Sequence, residues 1–137
     1  LEATKQVTDV VKYIGAGLVG LFFAAVTSSS ATLTAISTGS PVLMSTIAIL
    51  GVGCLLLDYL NHVMRRSAYA NILDAIDARK PLKRSPDGRH LLFDPTDPHY
   101  YWAGRFFRAK QWCAALGCVA VIYLFAKHAY VTLFPPP

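Results

Sequence analysis

The sequence predicts an all-α integral membrane protein: three transmembrane helices, an amphipathic interfacial helix, and a long basic loop between the second and third spans. Three observations carry this reading. Residues 13–57 contain no Asp, Glu, Lys or Arg, which makes 45 consecutive uncharged positions between Lys12 and Asp58. A bilayer-spanning helix takes about 20 apolar residues, so this run holds two spans and a turn. A second uncharged run, 111–126, continues past Lys127 and His128 into AYVTLF and is long enough for a third span. Composition agrees, with 15% charged and 54% hydrophobic residues, where a water-soluble domain carries about 25% charged. The 137 residues read as one membrane domain, with spans near 13–33, 42–60 and 112–134 and a loop over 61–111.

The elements follow in order. The lead-in LEATKQVTDVVK places Val7, Val10, Val11 and Ile14 at helical spacing and feeds directly into the first span. Within that span Gly15, Ala16, Gly17 and Gly20 put small residues on one side. Small residues let a second helix backbone approach closely, although glycine is also simply commoner in membrane helices. The segment 27–41 is uncharged but dense in Ser and Thr. Part of it can continue the helix, because these hydroxyls bond to nearby backbone carbonyls. The turn falls at Thr38, Gly39, Ser40 and Pro41, with Ser40 as N-cap and Pro41 as the first residue of the second span.

The second span, 42–60, is 19 residues long, which crosses a hydrocarbon core of about 30 Å with little tilt. It ends in GVGCLLLDYLNHVMRR, where the uncharged run gives way to Asp58, Tyr59, His62, Arg65 and Arg66. An ionisable group at mid-bilayer costs about 2.5 to 3.5 kcal/mol, less toward the interface, so Asp58 marks the membrane edge or is held there for a purpose.

Beyond it, Tyr69, Ile72, Leu73 and Ile76 recur at i, i+3, i+4 and i+7, the pattern of an amphipathic helix over 67–78 lying on a membrane surface or a partner. RKPLKRSPDGRHLLFDPTDP has no period and is punctuated by proline, with PDG as a turn. HYYWAGRFFRAKQW then brings aromatic and basic residues together. Trp102 and Trp112 suit the headgroup level, and Arg105, Arg108 and Lys110 suit the phosphates of anionic phospholipids. Stacking on RNA bases is the competing use of such a stretch, and an adjoining span favours the lipid interface. After the third span, Lys127 and His128 snorkel and the terminal PPP ends the helix.

Net charge +5 raises the question of nucleic acid, but ten of the 13 Lys and Arg lie between Arg65 and Lys110, among five Asp. That is a membrane-flanking loop obeying the positive-inside rule, with no nucleic-acid-reading motif around it, so no nucleic-acid partner is expected. It places the loop and the N-terminus on the positive side and the 38–41 turn and C-terminus opposite. Cys54, Cys113 and Cys118 fall in apolar runs without a Cys-x-x-Cys spacing and read as packing residues. No Ser/His/Asp or Cys/His arrangement, phosphate loop or HExxH occurs, so the chain is not catalytic alone and no catalytic or metal-ligating residue is assigned. Asp58 and Tyr59 remain. A carboxylate can orient an arginine and a phenol can donate to a quinone carbonyl; equally, a belt tyrosine can sit beside an aspartate paired with Arg65 or a loop cation.

Gly51, Gly53, Asp58, Tyr59 and His62, as G-x-G-x4-D-Y-x2-H, resemble the end of the second span in the small D-type membrane-anchor subunit of succinate dehydrogenase, respiratory complex II. The continuation into Met64, Arg65 and Arg66 looks like plant-type members. The motif covers about 16 residues and the looser likeness about 50.

The resemblance implies that Tyr59 hydrogen-bonds the carbonyl of ubiquinone and that Asp58 holds an arginine of a partner subunit. It also implies docking of the iron-sulfur and other anchor subunits, and an inner membrane, mitochondrial rather than bacterial. Two features depart from the family. Residues 41–61 contain no histidine, where the family's haem b ligand would fall near Ile47, and the 65–110 connection is longer than usual. The alternatives are a non-catalytic accessory subunit of another respiratory or membrane complex, docked through the loop and amphipathic helix, or a small oligomeric pore lined by Gly15–Gly20 and the Ser/Thr segment.

Overall fold

The computed structural model describes residues 2–78 and 97–134, with side chains from residue 6 onward. Four helices follow in order: α1 (Glu2–Thr27), α2 (Ala31–Gly39), α3 (Pro41–Asp77) and α4 (Pro98–Leu133). Three stretches, Gln6–Thr27, Pro41–Asp77 and Pro98–Leu133, are long and apolar enough to cross a membrane. The chain is a multi-pass helical membrane protein. The terminal PPP and the PDG turn lie outside the described residues.

Helix boundaries differ from the sequence expectation in three places. The first span stops at Thr27 rather than near residue 33, because the serines that follow satisfy the backbone outside a helix. Thr27 Oγ1 donates to the Phe23 carbonyl at 2.7 Å, and Ser28 Oγ accepts from the Ser30 N–H at 3.0 Å. Helix α2 resumes at Ala31 and ends at Gly39, about two and a half turns, and Ser40, at φ −154° and ψ 62°, leaves the helical region that a following proline disfavours.

Second, the segment expected to form a separate amphipathic helix, 67–78, continues α3 without a break to Asp77. No glycine or proline interrupts residues 54–77, and Ala68, Ala70 and Ala75 favour helix. Third, the final helix begins at Pro98, 14 residues before the expected start at 112. Asp97 caps it through the His99 N–H at 2.8 Å, with Pro98 as its first residue. At 1.5 Å per residue the 37-residue α3 is about 56 Å long, well beyond the hydrocarbon core.

The chain forms two compact units. One comprises Leu1–Leu56 and Ala109–Pro137, the other Leu57–Arg108. In the first, α1, α3 and α4 each turn one stripe inward at alternating spacings of three and four, and α2 contributes Ile36. On α1 the stripe is Val11, Gly15, Leu18, Phe22 and Ala25; on α3 it is Met44, Ile47, Gly51 and Cys54; on α4 it is Lys110, Ala114, Gly117, Val121 and Leu124. A seven-residue repeat of this kind suits helices packed at a shallow angle.

Two clusters result. Leu18, Ala25, Ile36, Met44, Ile47 and Leu124 form the larger, and Val11, Cys54 and Ala114 the smaller. α1 and α3 approach most closely at two glycines: a Cβ on Gly51 would lie 2.9 Å from Leu18 Cβ and 3.0 Å from the Gly15 carbonyl oxygen. Of the small residues expected to make this contact, Gly15 does so. Gly17 and Gly20 face open space, and Ala16 is exposed. A helix presents only about a third of its circumference to one neighbour, so four small residues within six positions cannot all share it.

Several Ser and Thr hydroxyls of 27–46 turn back on their own helices. Thr38, Ser45 and Thr46 donate to carbonyls four residues earlier at 2.8, 3.0 and 2.8 Å. The second unit packs the end of α3 against the start of α4, with Ala68 and Ala103 buried.

Candidate functional site

Asp58 and Tyr59 are sequence neighbours that point in different directions from the helix. Consecutive helix positions are about 100° apart, and Asp58 continues the 3–4 stripe of buried α3 positions with Asn61 and Ala68. Asp58 is 9% exposed and Tyr59 66%. The fold therefore turns the carboxylate inward and presents the phenol outward. Asn61, one turn beyond Asp58, is buried and its Nδ2 donates to the Ala103 carbonyl at 2.5 Å, tying α3 to α4 by a side-chain bond. An amide in this position is satisfied by a backbone oxygen that also serves its own helix, which a carbonyl with two lone pairs allows. Among the described residues no buried side-chain nitrogen or oxygen lacks a hydrogen-bond partner.

A second polar group gathers at the start of α4. Asn71 Nδ2 donates to Asp97 Oδ2 at 3.3 Å, and His99 Nδ1 lies 3.2 Å from Asp97 Oδ1 and 3.4 Å from Asn71 Nδ2. The ring nitrogen can donate to the carboxylate or accept from the amide, according to tautomer. Partial burial pushes the Asp97 carboxyl up, but hydrogen bonds from the His99 N–H, the Asn71 amide and the His99 ring, together with the ring's charge, outweigh it. The carboxyl is held below its ordinary range.

The aromatic and basic stretch divides by helix face. Trp102 is exposed and stacks on Phe106, ring centroids 5.8 Å apart, while the Arg105 guanidinium sits 4.9 Å from the Tyr101 ring and 5.8 Å from Trp102. This is a cation held over aromatic faces, with room to reach outward. Arg108 and Trp112 are exposed as well.

Lys110 is the exception to the expected lipid-facing set. It is 0% exposed, and its Nζ donates to Thr8 Oγ1 at 3.4 Å. The reason is register: Lys110 is the first member of the inward α4 stripe that Ala114 and Gly117 continue. Beside it, Cys54 Sγ lies 3.4 Å from the Lys110 carbonyl and 3.6 Å from that of Val11. The buried thiol thus acts as a weak donor at the three-helix contact, and all three cysteines are unbridged.

Neither Asn61 nor buried Lys110 stood out in the amino-acid pattern. Both were legible in principle, since extending the 3–4 spacing from Ile47 and Gly51, or back from Leu124, lands on them. Among the described residues no three His, Cys, Asp or Glu side chains converge as a metal site. Comparison with family models, with curated proteins and with solved structures gives no match for this chain.

Proposed function

We infer that this chain is a membrane-anchor subunit of a succinate:ubiquinone oxidoreductase, with Tyr59 as its contact to the quinone. The observation that carries the reading is the outward phenol of Tyr59 at the end of an apolar span, backed by a buried acid. A quinone moves within the bilayer and presents two carbonyl acceptors, and a lipid-facing phenol can donate to one of them. In this reading partner subunits complete the pocket. Asp58, turned inward, fixes the rotation of α3 and so positions Tyr59, in place of the direct grip on a partner's arginine that the family resemblance implies. Ubiquinone accepts electrons that reach it from those partners; this chain binds and orients.

The position where the family resemblance would put a haem b histidine supplies no ligand here. Ile47, at the position where the family would carry the histidine, is 0% exposed and packed in the larger apolar cluster.

Replacing Tyr59 by Phe in the assembled complex removes one hydrogen bond of about 1.4 kcal/mol, or about tenfold in quinone reduction. Succinate oxidation with an artificial acceptor stays at the wild-type rate. Loss of both together, or of assembly with no selective quinone defect, counts against the reading.

A second reading rests on a different observation. Tyr69, Leu73 and Ile76 are exposed at the far end of α3, a face suited to a protein partner in a non-catalytic accessory subunit. Under it Tyr59→Phe is silent, and a charge at Leu73 releases the chain from its complex.

A further inference from the structure

We propose that the C-terminal end of α4, together with α2 and the α2–α3 turn, forms a binding site for an anionic phospholipid. Lys127 takes the headgroup phosphate and an acyl chain lies in the adjoining cleft. A cavity of about 270 Å³ opens between these elements, with Ile36, Leu124 and Val131 among its apolar walls and Ser40, Lys127 and His128 at its polar rim.

Lys127 is fixed rather than free to wave. Its Nζ donates to Ser40 Oγ at 2.7 Å and to the carbonyl of Gly39, the last residue of α2, at 3.5 Å. Ser40 Oγ in turn donates to that carbonyl at 2.7 Å instead of capping α3. An ammonium has three N–H donors and no acceptor, so one remains for a ligand after these two are used.

The charge environment selects the ligand. No carboxylate lines the cavity. Along the sequence no Asp or Glu occurs between Asp9 and Asp58 or after Asp97, so α2, the turn and the end of α4 offer Lys127 no acidic counter-ion. A cation at a membrane boundary without a protein carboxylate is matched by an anion from outside, and the walls beside it accept hydrocarbon. Phosphate joined to an acyl chain satisfies both halves; a free phosphate satisfies one. Arg105 and Arg108 supply a separate cationic surface on α4, and the test has to distinguish the two.

The full-length protein, placed in phosphatidylcholine nanodiscs with and without phosphatidylglycerol, is released into the gas phase and its retained lipids are counted by native mass spectrometry. Wild type retains phosphatidylglycerol over phosphatidylcholine by about tenfold, the worth of a charge-assisted hydrogen bond. Lys127→Gln brings the ratio near one and Lys127→Arg keeps it. Val131→Trp fills the cleft while leaving the lysine, and it too abolishes the preference. That variant carries the test if Lys127→Gln misfolds, which circular dichroism checks. Three results overturn the proposal: equal retention of the two lipids by wild type, a preference that survives both Lys127→Gln and Val131→Trp, or displacement of phosphatidylglycerol by inorganic phosphate at equal concentration.

Discussion

Replacing Gly51 by alanine tests the packing of α1 on α3 directly. The added methyl would lie 2.9 Å from Leu18 Cβ, 2.9 Å from Val19 Cγ2 and 3.0 Å from the Gly15 carbonyl oxygen. Carbon atoms in contact settle at about 3.5 to 4.0 Å, so a gap of roughly 0.5 to 1 Å has to be opened. Val19 can change rotamer. A Cβ and a backbone oxygen cannot, so the helices themselves must separate. Overpacking of this kind costs about 1 to 3 kcal/mol, and the higher helix propensity of alanine returns at most about 1. With the full return, the net expectation is a loss of about 0 to 2 kcal/mol, against a gain of up to about 1 where the methyl meets nothing.

Gly53, two residues on and part of the same glycine pair, is the control, since a Cβ there meets nothing within 4 Å. Gly53→Ala should be neutral or slightly stabilising. Gly15→Ala, whose Cβ would be 3.2 Å from Cys54 Cβ and 3.4 Å from the Gly51 carbonyl oxygen, falls between. Equilibrium unfolding in mixed detergent and dodecyl sulfate micelles, followed by circular dichroism, gives the three values. Gly51→Ala as stable as Gly53→Ala would refute the close approach of α1 and α3.

Other outcomes follow from single contacts. Asn61→Ala removes the bond to the Ala103 carbonyl and leaves a small void, at a cost of about 1 to 2 kcal/mol in the same unfolding assay; no change would mean that the bond carries no net stability. Asp97→Ala removes the α4 cap and destabilises by about 1 kcal/mol at neutral pH. Because the folded carboxyl lies below its ordinary value of 3.8, its contribution is present above that value and lost as pH falls through the folded one. The gap between wild type and Asp97→Ala therefore narrows in acid, and melting curves at neutral and strongly acidic pH would show a constant gap if the carboxylate were immaterial. Leu73→Glu places a charge on the exposed α3 face; co-purification of the natural partners is lost if that face docks a protein and kept if only Tyr59 engages the complex.

Much of the α3 boundary was readable from a single dipeptide, Ser40–Pro41, and the equivalent Asp97–Pro98 signal marks α4 just as clearly. It is easily passed over because it sits inside a charged, proline-rich stretch that resembles a loop. Continuity of α3 to Asp77 was harder to read. The charge change at Asp58 ends the apolar run, but helix formation depends on the absence of breakers, not on hydropathy, and none occurs. The Ser/Thr segment is ambiguous for the opposite reason, since its hydroxyls serve a helix backbone and a turn equally well.

The sequence by itself pointed to a helical membrane protein with three apolar spans, because the 45 uncharged positions of 13–57 are long enough for two and the uncharged run 111–126 supplies a third. It also showed that Asp58 and Tyr59 stand where the uncharged run ends. Only the tertiary structure decided which way each faces, that Lys110 is inside and not at the lipid boundary, that Gly15 and Gly51 but not Gly17 and Gly20 carry the helix contact, and that Lys127 is clasped by Ser40. These are questions of helix rotation, and rotation is set by how the 3–4 stripes of several helices interlock. That is a property of neighbours far apart in the chain, which local pattern does not contain.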